Sequence, residues 1–467
     1  MVNNFKIVIG LKNQFLSPLW CKPKHPMTDT NLRILDLLKL YINVAKESKV
    51  FFENENHFIE DQSKMNFNHT VAFILNLPKR SLSVEIEEFY ASIGRTDLTC
   101  TKSAFSQQRS KIHYDFFSTM VSMQVQSFYK ENKKKLKTWK GFGLCAVDGS
   151  VINLVKTLEV TNYFGTQANQ HGAVTLGRVM CVYDILNDIS IKSHLFPITI
   201  GESTILKPWI ESFDRNTIYI YDRGFPGYVT CFLHENQERS IPFVMRSKEN
   251  ANMSVAKFAS SSAQDQIIEF EATSIHAEEI YKFGIKIKKG DTLKIRAVKV
   301  KLPNGDVEIL LTNLFDKKKF PKSVFKDLYF KRWQIETNYN FQKNILQMEN
   351  FSGNKLNSIF QDFYAAVFAG NLQSMLGKDI EKAVAQKTKH RQYDYKINKS
   401  VAVGLMKNKL SRLFLDRRPE EILNELRALQ VKYFEPIRPG RSFVRRQRPS
   451  TKRSGKFQTL CNYKRSL

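Results

Sequence analysis

Tyr329, Arg332, Glu336 and Lys343 follow one another at spacings of three, four and seven residues. At about 100° per residue, an α-helix through them would gather all four into an arc roughly 60° wide and about 20 Å long. A carboxylate between two cations and a phenol suits a metal ion beside a phosphate backbone. The carboxylate offers hard oxygen, and the cations offer charge-assisted hydrogen bonds. Two more carboxylates stand upstream, each just past a short apolar run. Asp148 closes Leu144-Cys-Ala-Val147 and opens Asp148-Gly149-Ser150. Asp222 closes Thr217-Ile-Tyr-Ile-Tyr221 and opens Asp222-Arg223-Gly224-Phe225. If those runs are neighbouring parallel strands, their C-terminal ends bring Asp148 and Asp222 together, at the edge where α/β sheets build sites. Glu336, arriving on a helix, would complete a site for two Mg²⁺ ions, with Mn²⁺ as an alternative. Such ions can activate a water or a 3′-hydroxyl and stabilise the leaving oxygen of a phosphodiester. Arg332 and Lys343 would then hold phosphates and Tyr329 a backbone oxygen. Each piece has a plainer reading: a turn for Asp-Gly, a helix cap for Asp-Arg-Gly-Phe, an ion-paired exposed face for the helix. The order strand-Asp, strand-Asp, helix-Glu favours the joint one.

These residues need a sheet and helices to position them. Residues 1–138 read as helical, with apolar periodicity over Leu32–Tyr41 and Phe117–Tyr129. Ser83–Ile93 and Thr101–Ile112 resemble two helices across a turn at Gly94–Cys100. The second carries Lys102, Ser106, Gln107 and Arg109, types that contact phosphates and base edges; an ordinary surface helix is the alternative. Lys133–Lys140 reads as a solvated linker. Residues 139–376 then form an α/β core. Its strands are Leu144–Val147, Val179–Tyr183, Ile189–Leu195, Thr217–Tyr221 and Pro242–Arg246, with helices over Glu202–Phe213 and Phe225–His234. Between about 247 and 305 the pattern reads as all strand. Tyr281–Lys289 and Leu293–Leu302 alternate apolar with basic, a register shift at Ala297-Val298 suggests a bulge, and Asn304-Gly305 is a hairpin turn. Lys286, Lys288, Lys294, Arg296, Lys299 and Lys301 would line the solvated side, either to hold DNA or to protect an edge. Helices return over Ser323–Leu376. Residues 377–467 hold an amphipathic stripe at Ile422–Leu429 and a tail, Val431–Leu467, with 11 Lys/Arg and one acid, read as a flexible polyanion-binding arm.

The 467 residues suffice for two or three domains, and 72 Lys+Arg against 45 Asp+Glu give a formal charge of +27. Such an excess favours a polyanionic partner, double-stranded DNA before a membrane surface. The six cysteines form no C-x-x-C pair and the histidines no zinc spacing, so free thiols in a reducing compartment are expected. No apolar run reaches the length of a membrane span. Met1–Leu16 makes a poor signal peptide, so a cytoplasmic protein is expected.

Asp148-Gly149-Ser150, Asp222-Arg223-Gly224-Phe225 and the Tyr329/Arg332/Glu336/Lys343 set together resemble the DDE transposases of bacterial insertion sequences, in the group called insertion sequence family 4. Gly201-Glu202 before a helix also looks like that family's segment ahead of the second aspartate. The resemblance implies an RNase H-like catalytic core with an inserted all-β subdomain before the glutamate helix. It implies Asp148, Asp222 and Glu336 as catalytic metal ligands for Mg²⁺, with Tyr329, Arg332, Lys343 and Arg223 touching DNA, while Lys102 and Arg109 in the N-terminal region are expected to touch DNA from their residue types. It also implies cleavage at the element's ends, joining to target DNA, a homodimer on paired ends, and a place on the bacterial nucleoid. A nuclease that cuts without joining and a catalytically inactive DNA-binding repressor are the alternatives. Relatives that cut through a hairpin hold a flipped base with a tryptophan in the insertion. Here Trp20, Trp139, Trp209 and Trp333 all lie outside it. Trp333 is expected to pack in the core, with Tyr281, Phe283 or Phe270 as stand-ins.

Overall fold

The computed structural model describes residues 29–58, 63–169, 172–236, 240–302 and 305–438. The chain forms two compact units. One comprises the described parts of Met1–Phe117, Gln342–Ser352 and Phe368–Leu467; the other comprises Ser118–Phe341 and Gly353–Val367. The expected readings for Met1–Leu16, Trp20, Asn304 and the tail beyond residue 438 lie outside the described residues.

The second unit is built on one sheet, which among the described residues has nine strands. They are β1 (Gly143–Asn153), β2 (Thr166–Asn169), β3 (Gly172–Asp184), β4 (Ile189–Pro197), β5 (Thr217–Tyr221), β6 (Phe243–Ser247), β7 (Asp265–Glu271), β8 (Thr292–Lys301) and β9 (Val307–Thr312). Strands β1, β3 and β4 form an antiparallel meander, and β1, β5 and β6 run parallel. The spatial order β4-β3-β1-β5-β6 is therefore three antiparallel strands followed by two parallel ones, the RNase H-like arrangement. Every residue of β5 is buried, as expected for a central parallel strand covered on both faces. One face meets helices through Val147, Met180, Tyr221, Leu206, Trp209 and Val229. The alternate residues Leu144, Ala146, Ile218 and Ile220 are equally buried.

Several expectations need correction. The 247–305 stretch is not all strand: helices Met253–Ser260 and Ser274–Tyr281 interrupt it. In the second, a capping box between Thr273 and His276 starts the helix and Ile280 is its buried anchor. The helix ends at Tyr281, and residues 282–289, expected as an alternating strand, form turns and irregular chain instead. Nor does the insertion stand apart as a subdomain, because β9, β8 and β7 extend the core sheet beyond β6. The pairing of β8 with β7 and β9 runs without a bulge at Ala297-Val298. Both faces of β8 are covered, so Arg296 and Lys299 are buried and leave the solvated row, whereas Lys286, Lys288, Lys294 and Lys301 are exposed. Lys299 donates to the Ser261 carbonyl and lies over the Phe258 ring. Lys133–Lys140 is not wholly solvated: the Lys137 backbone is bonded twice to the Asn187 side chain, and Trp139 stacks on Phe320.

The first unit is mainly helical. Tyr41, Phe51, Phe52, Phe58, Phe67 and Phe116 interlock as an aromatic cluster. The expected pair of helices spans Leu82–Ser92 and Lys102–Ser110, with Gly94 at φ +73° in the turn and Thr101 capping Ala104 N–H. The Ile422–Leu429 stripe lies on the helix Pro419–Gln430, where Ile422, Leu423 and Leu426 are buried. It is therefore spent inside the chain and offers no face to a second copy. Phe434–Pro436, expected to be flexible, pairs with Tyr395–Ile397.

Candidate active site

Parallel pairing decides where the two aspartates meet. Val147 of β1 stands opposite Tyr221 of β5, and β5 ends there. Asp148 and Asp222, each one residue further, therefore share the C-terminal edge of the two central strands. Strand β1 does not stop at Val147 as expected. It continues to Asn153 along β3, with Asp148 opposite Cys181, so Asp148 is held by a neighbour on one side and opens to the edge on the other.

The glutamate arrives as expected, but not on one regular helix. Val324–Phe330 and Trp333–Asn340 are α-helical and Phe341–Ile345 is π-helical. At the joint, Arg332 N–H bonds Tyr329 C=O and Gln334 N–H bonds Lys331 C=O, both three residues back. A tightened turn before Glu336 and a widened one after it spoil the even 100° progression. Tyr329, Arg332 and Glu336 nonetheless serve the same edge, while Lys343 falls in the π segment and belongs to the other compact unit.

Arg332 ties the pieces together. Its Nη2 donates to Glu336 Oε1 at 3.0 Å, and its Nη1 lies 3.5 Å from Asp148 Oδ2. Tyr329 donates its phenol to Asp222 Oδ1 at 3.4 Å. Tyr339, one turn beyond Glu336, donates to the Asp148 carbonyl at 2.7 Å and locks the glutamate helix onto β1. Burial pushes the Asp148 carboxyl up to about 7; Glu202 and Asp222 add to that rise, against Arg332 and the Gly149 N–H. Burial works against the Arg332 cation, yet Tyr329, Asp222, Asp148 and Glu336 hold it above its ordinary value. Burial also raises the Tyr329 phenol, which stays a donor.

Glu202 was missed as a site residue, although Gly201-Glu202 ahead of a helix marked the segment. It opens the helix Glu202–Ile210, where the positive helix end favours a carboxylate. It bonds Arg178 Nη1 at 2.6 Å. Its carboxylate lies directly against Gly149: a Cβ there would stand 2.3 Å from Glu202 Oε1. A fourth carboxylate thus sits beside Asp148, and the glycine of Asp-Gly-Ser is needed for that approach, not for a turn.

Other expected contacts are placed differently. Arg109 is buried, bonded to Ser352 and laid over Phe105, so it leaves the exposed face that keeps Lys102, Ser106 and Gln107. Arg223 is exposed next to Asp222. Trp333 does not pack in the core. It is 45% exposed, because Ile335, Asn338 and Tyr339 take the buried side of its helix. Of the aromatic residues offered in the insertion, Phe270 is buried and Tyr281 exposed.

The donor chemistry fits a divalent ion: hard carboxylate oxygens, one of them in Asp148 kept from ionising by burial and by other carboxylates. Among the described residues no three His, Cys, Asp or Glu side chains converge as a metal cage; the group between Asp148 and Glu336 is the Arg332 guanidinium. Among the same residues no helix is long and apolar enough to cross a membrane.

Comparison with known proteins identifies a family. The family described as "Transposase DDE domain" matches residues 139–372, half of the chain. The "Putative transposase y4zB" of Sinorhizobium fredii (strain NBRC 101917 / NGR234) is 27% identical over 204 residues, 43% of this chain and 54% of that protein. The chain thus spans about half the length of this curated relative. Among solved structures, the piggyBac transposase synaptic complex with hairpin DNA is 10% identical with a TM-score of 0.39, over 87% of this chain and 79% of that one.

Proposed function

Because this chain belongs to the transposase DDE domain family, we propose that it is a DNA transposase that cuts the ends of an insertion sequence and joins them to target DNA. The observation that supports the reading is that Asp148 and Asp222 share one sheet edge, with Tyr329 bonded to Asp222 and Arg332 joining Asp148 to Glu336. Asp148, Asp222 and Glu336 would hold two Mg²⁺ ions. When bound, such ions make a water or 3′-hydroxyl nucleophilic and stabilise the leaving oxygen of a phosphodiester.

The protein's own groups do the positioning. Tyr339 fixes the distance of the glutamate helix from β1 through the Asp148 carbonyl. Tyr329, kept protonated, offers a donor to a phosphate oxygen beside Asp222, and Arg332 offers planar N–H groups suited to phosphate. Arg223 and exposed Lys102 supply backbone contacts further out. Exposed Trp333 offers a stacking face for a base near the reacting phosphate. The excess of 27 positive charges supports DNA as the partner. Paired ends would be held by a homodimer on the nucleoid.

The test is strand transfer in vitro with a DNA carrying the element's own ends. Asp222→Asn and Glu336→Gln should each abolish Mg²⁺-dependent joining of pre-cleaved ends and leave DNA binding intact. Full joining by either variant removes that residue from the site. Cleavage without joining by the unaltered protein would indicate a nuclease instead.

A further inference from the structure

We propose that Arg332 is the internal counter-cation of this site and that a divalent ion displaces it, so that Arg332 is released to take a DNA phosphate only after the metal is in place. The proposal rests on reading Asp148, Asp222 and Glu336 as metal ligands.

Among the described residues Arg109, Arg296 and Arg332 are deeply buried, and the last two answer to different logic. Arg296 is fully buried and fully used. Its Nε and Nη2 grip both oxygens of Asp265 at 2.9 and 2.7 Å, its Nη1 reaches the Leu314 carbonyl at 2.6 Å, and its plane lies over Phe325. That is an arginine fitted to a fixed place. Arg332 is nearly as buried, with 4% of its side chain exposed, but its Nε and Nη1 have no hydrogen-bond partner among the described residues. Its Nη2 bonds Glu336, its guanidinium lies near the Tyr329 and Trp333 rings, and Asp148 is held at 3.5 Å by charge rather than by a formed hydrogen bond. A guanidinium has five N–H donors, and leaving some unmet in a buried position is costly. Arg332 therefore stays because the carboxylates around it demand a cation, not because the pocket is shaped for it.

Charge explains why it would leave. The three acidic groups of Asp148, Asp222 and Glu336 face one guanidinium, so positive charge is in short supply. Two divalent ions would turn the deficit into an excess and make the guanidinium the least favoured cation present. The backbone permits the move, since Arg332 sits at the tightened joint between two helices rather than inside either. The unmet donors, freed from Glu336, would meet the oxygens of a phosphate. Metal loading and substrate grip would thus be coupled through one side chain.

Two measurements on the full chain without DNA test this. Mn²⁺ affinity, read from the electron spin resonance of the free ion, should be tighter by about tenfold in Arg332→Gln than in the unaltered protein, since one charge-assisted hydrogen bond no longer has to be given up. Equal or weaker Mn²⁺ binding in the variant overturns the proposal and makes Arg332 an organiser of the carboxylates. In the unaltered protein, the Arg332 guanidinium lies 5.5 Å from the Trp333 ring centre. Mg²⁺ should therefore change tryptophan emission, and Trp333→Phe should remove the change. Mn²⁺ binding that Asp222→Asn abolishes, with silent Trp333 emission, overturns the displacement but keeps the metal site. Absence of Mn²⁺ binding in both the unaltered protein and Arg332→Gln overturns the metal-site reading as well.

Discussion

Replacing Asp148 by asparagine should stabilise this protein by an amount that grows as pH rises from 3.8 and is complete above about 7. Burial, with Glu202 and Asp222 nearby, raises the Asp148 carboxyl from 3.8 to about 7 despite Arg332. Below the ordinary value both the folded and unfolded chains carry the neutral acid, and aspartic acid and asparagine behave alike. Between that value and about 7 the unfolded chain ionises the group while the folded chain does not. The folded state then binds more protons, so stability falls as pH rises and the whole cost is reached above the folded value. A rise from 3.8 to about 7, at about 1.36 kcal/mol per pH unit, sets a ceiling of about 4 kcal/mol. The side chain is 19% exposed, and solvent screening reduces the expected cost to about 2 kcal/mol. An asparagine side chain has nearly the same shape and carries no charge, so Asp148→Asn should be about 2 kcal/mol more stable at pH 8, or about 4–8 °C higher in Tm. The gain should vanish near pH 4. Thermal unfolding followed by circular dichroism in a chelating buffer at pH 4, 6 and 8 measures it. Added Mg²⁺ should narrow the gap by stabilising only the unaltered protein. A variant that melts at or below the unaltered protein at pH 8, or a difference that ignores pH, refutes the reasoning.

Gly149→Ala should cost about 1–3 kcal/mol, because the new methyl must expel the Glu202 carboxylate and break its bond to Arg178. Urea unfolding of the single variants and of Gly149→Ala with Glu202→Ala should show the double variant recovering much of the loss; simple additivity contradicts the contact. Arg296→Met should destabilise by about 3 kcal/mol at pH 7, since it strands the Asp265 carboxylate and the Leu314 carbonyl. The hydrogen bonds from Arg296 hold the Asp265 carboxyl below its ordinary value. The stability they confer is present above that value and is lost as pH falls, so the difference should shrink in urea titrations towards pH 3; a constant difference would rule out the ion pair.

Local pattern carried far where one side chain type per turn or per strand decided the outcome. The β-rich run Thr217–Tyr221 read as a strand, and Thr101 with its following helix could be read from cap chemistry. Pattern failed where both faces of an element are covered. Leu293–Leu302 alternates as if half were wet, yet the packing about β8 buries Arg296 and Lys299, each with a partner distant in sequence. Arg109 and Trp333 exchanged their expected surroundings because each helix buries one face only and tertiary contacts choose which. Periodicity identifies a face; it does not say which face is covered.

At the candidate site the division is equally physical. The order of Asp148, Asp222 and Glu336, their strand and helix contexts, and the spacing of Tyr329 and Arg332 are properties of the chain, and short-range sterics and hydrophobic alternation suffice to read them. Which strands pair, and therefore that Val147 meets Tyr221, depends on contacts far apart in sequence. So do the approach of Glu202 to Gly149, the Tyr339 bond to the Asp148 carbonyl, and the burial of Arg332 between two carboxylates. Charge and burial at a point are sums over everything folded around it, and only the tertiary structure performs that sum.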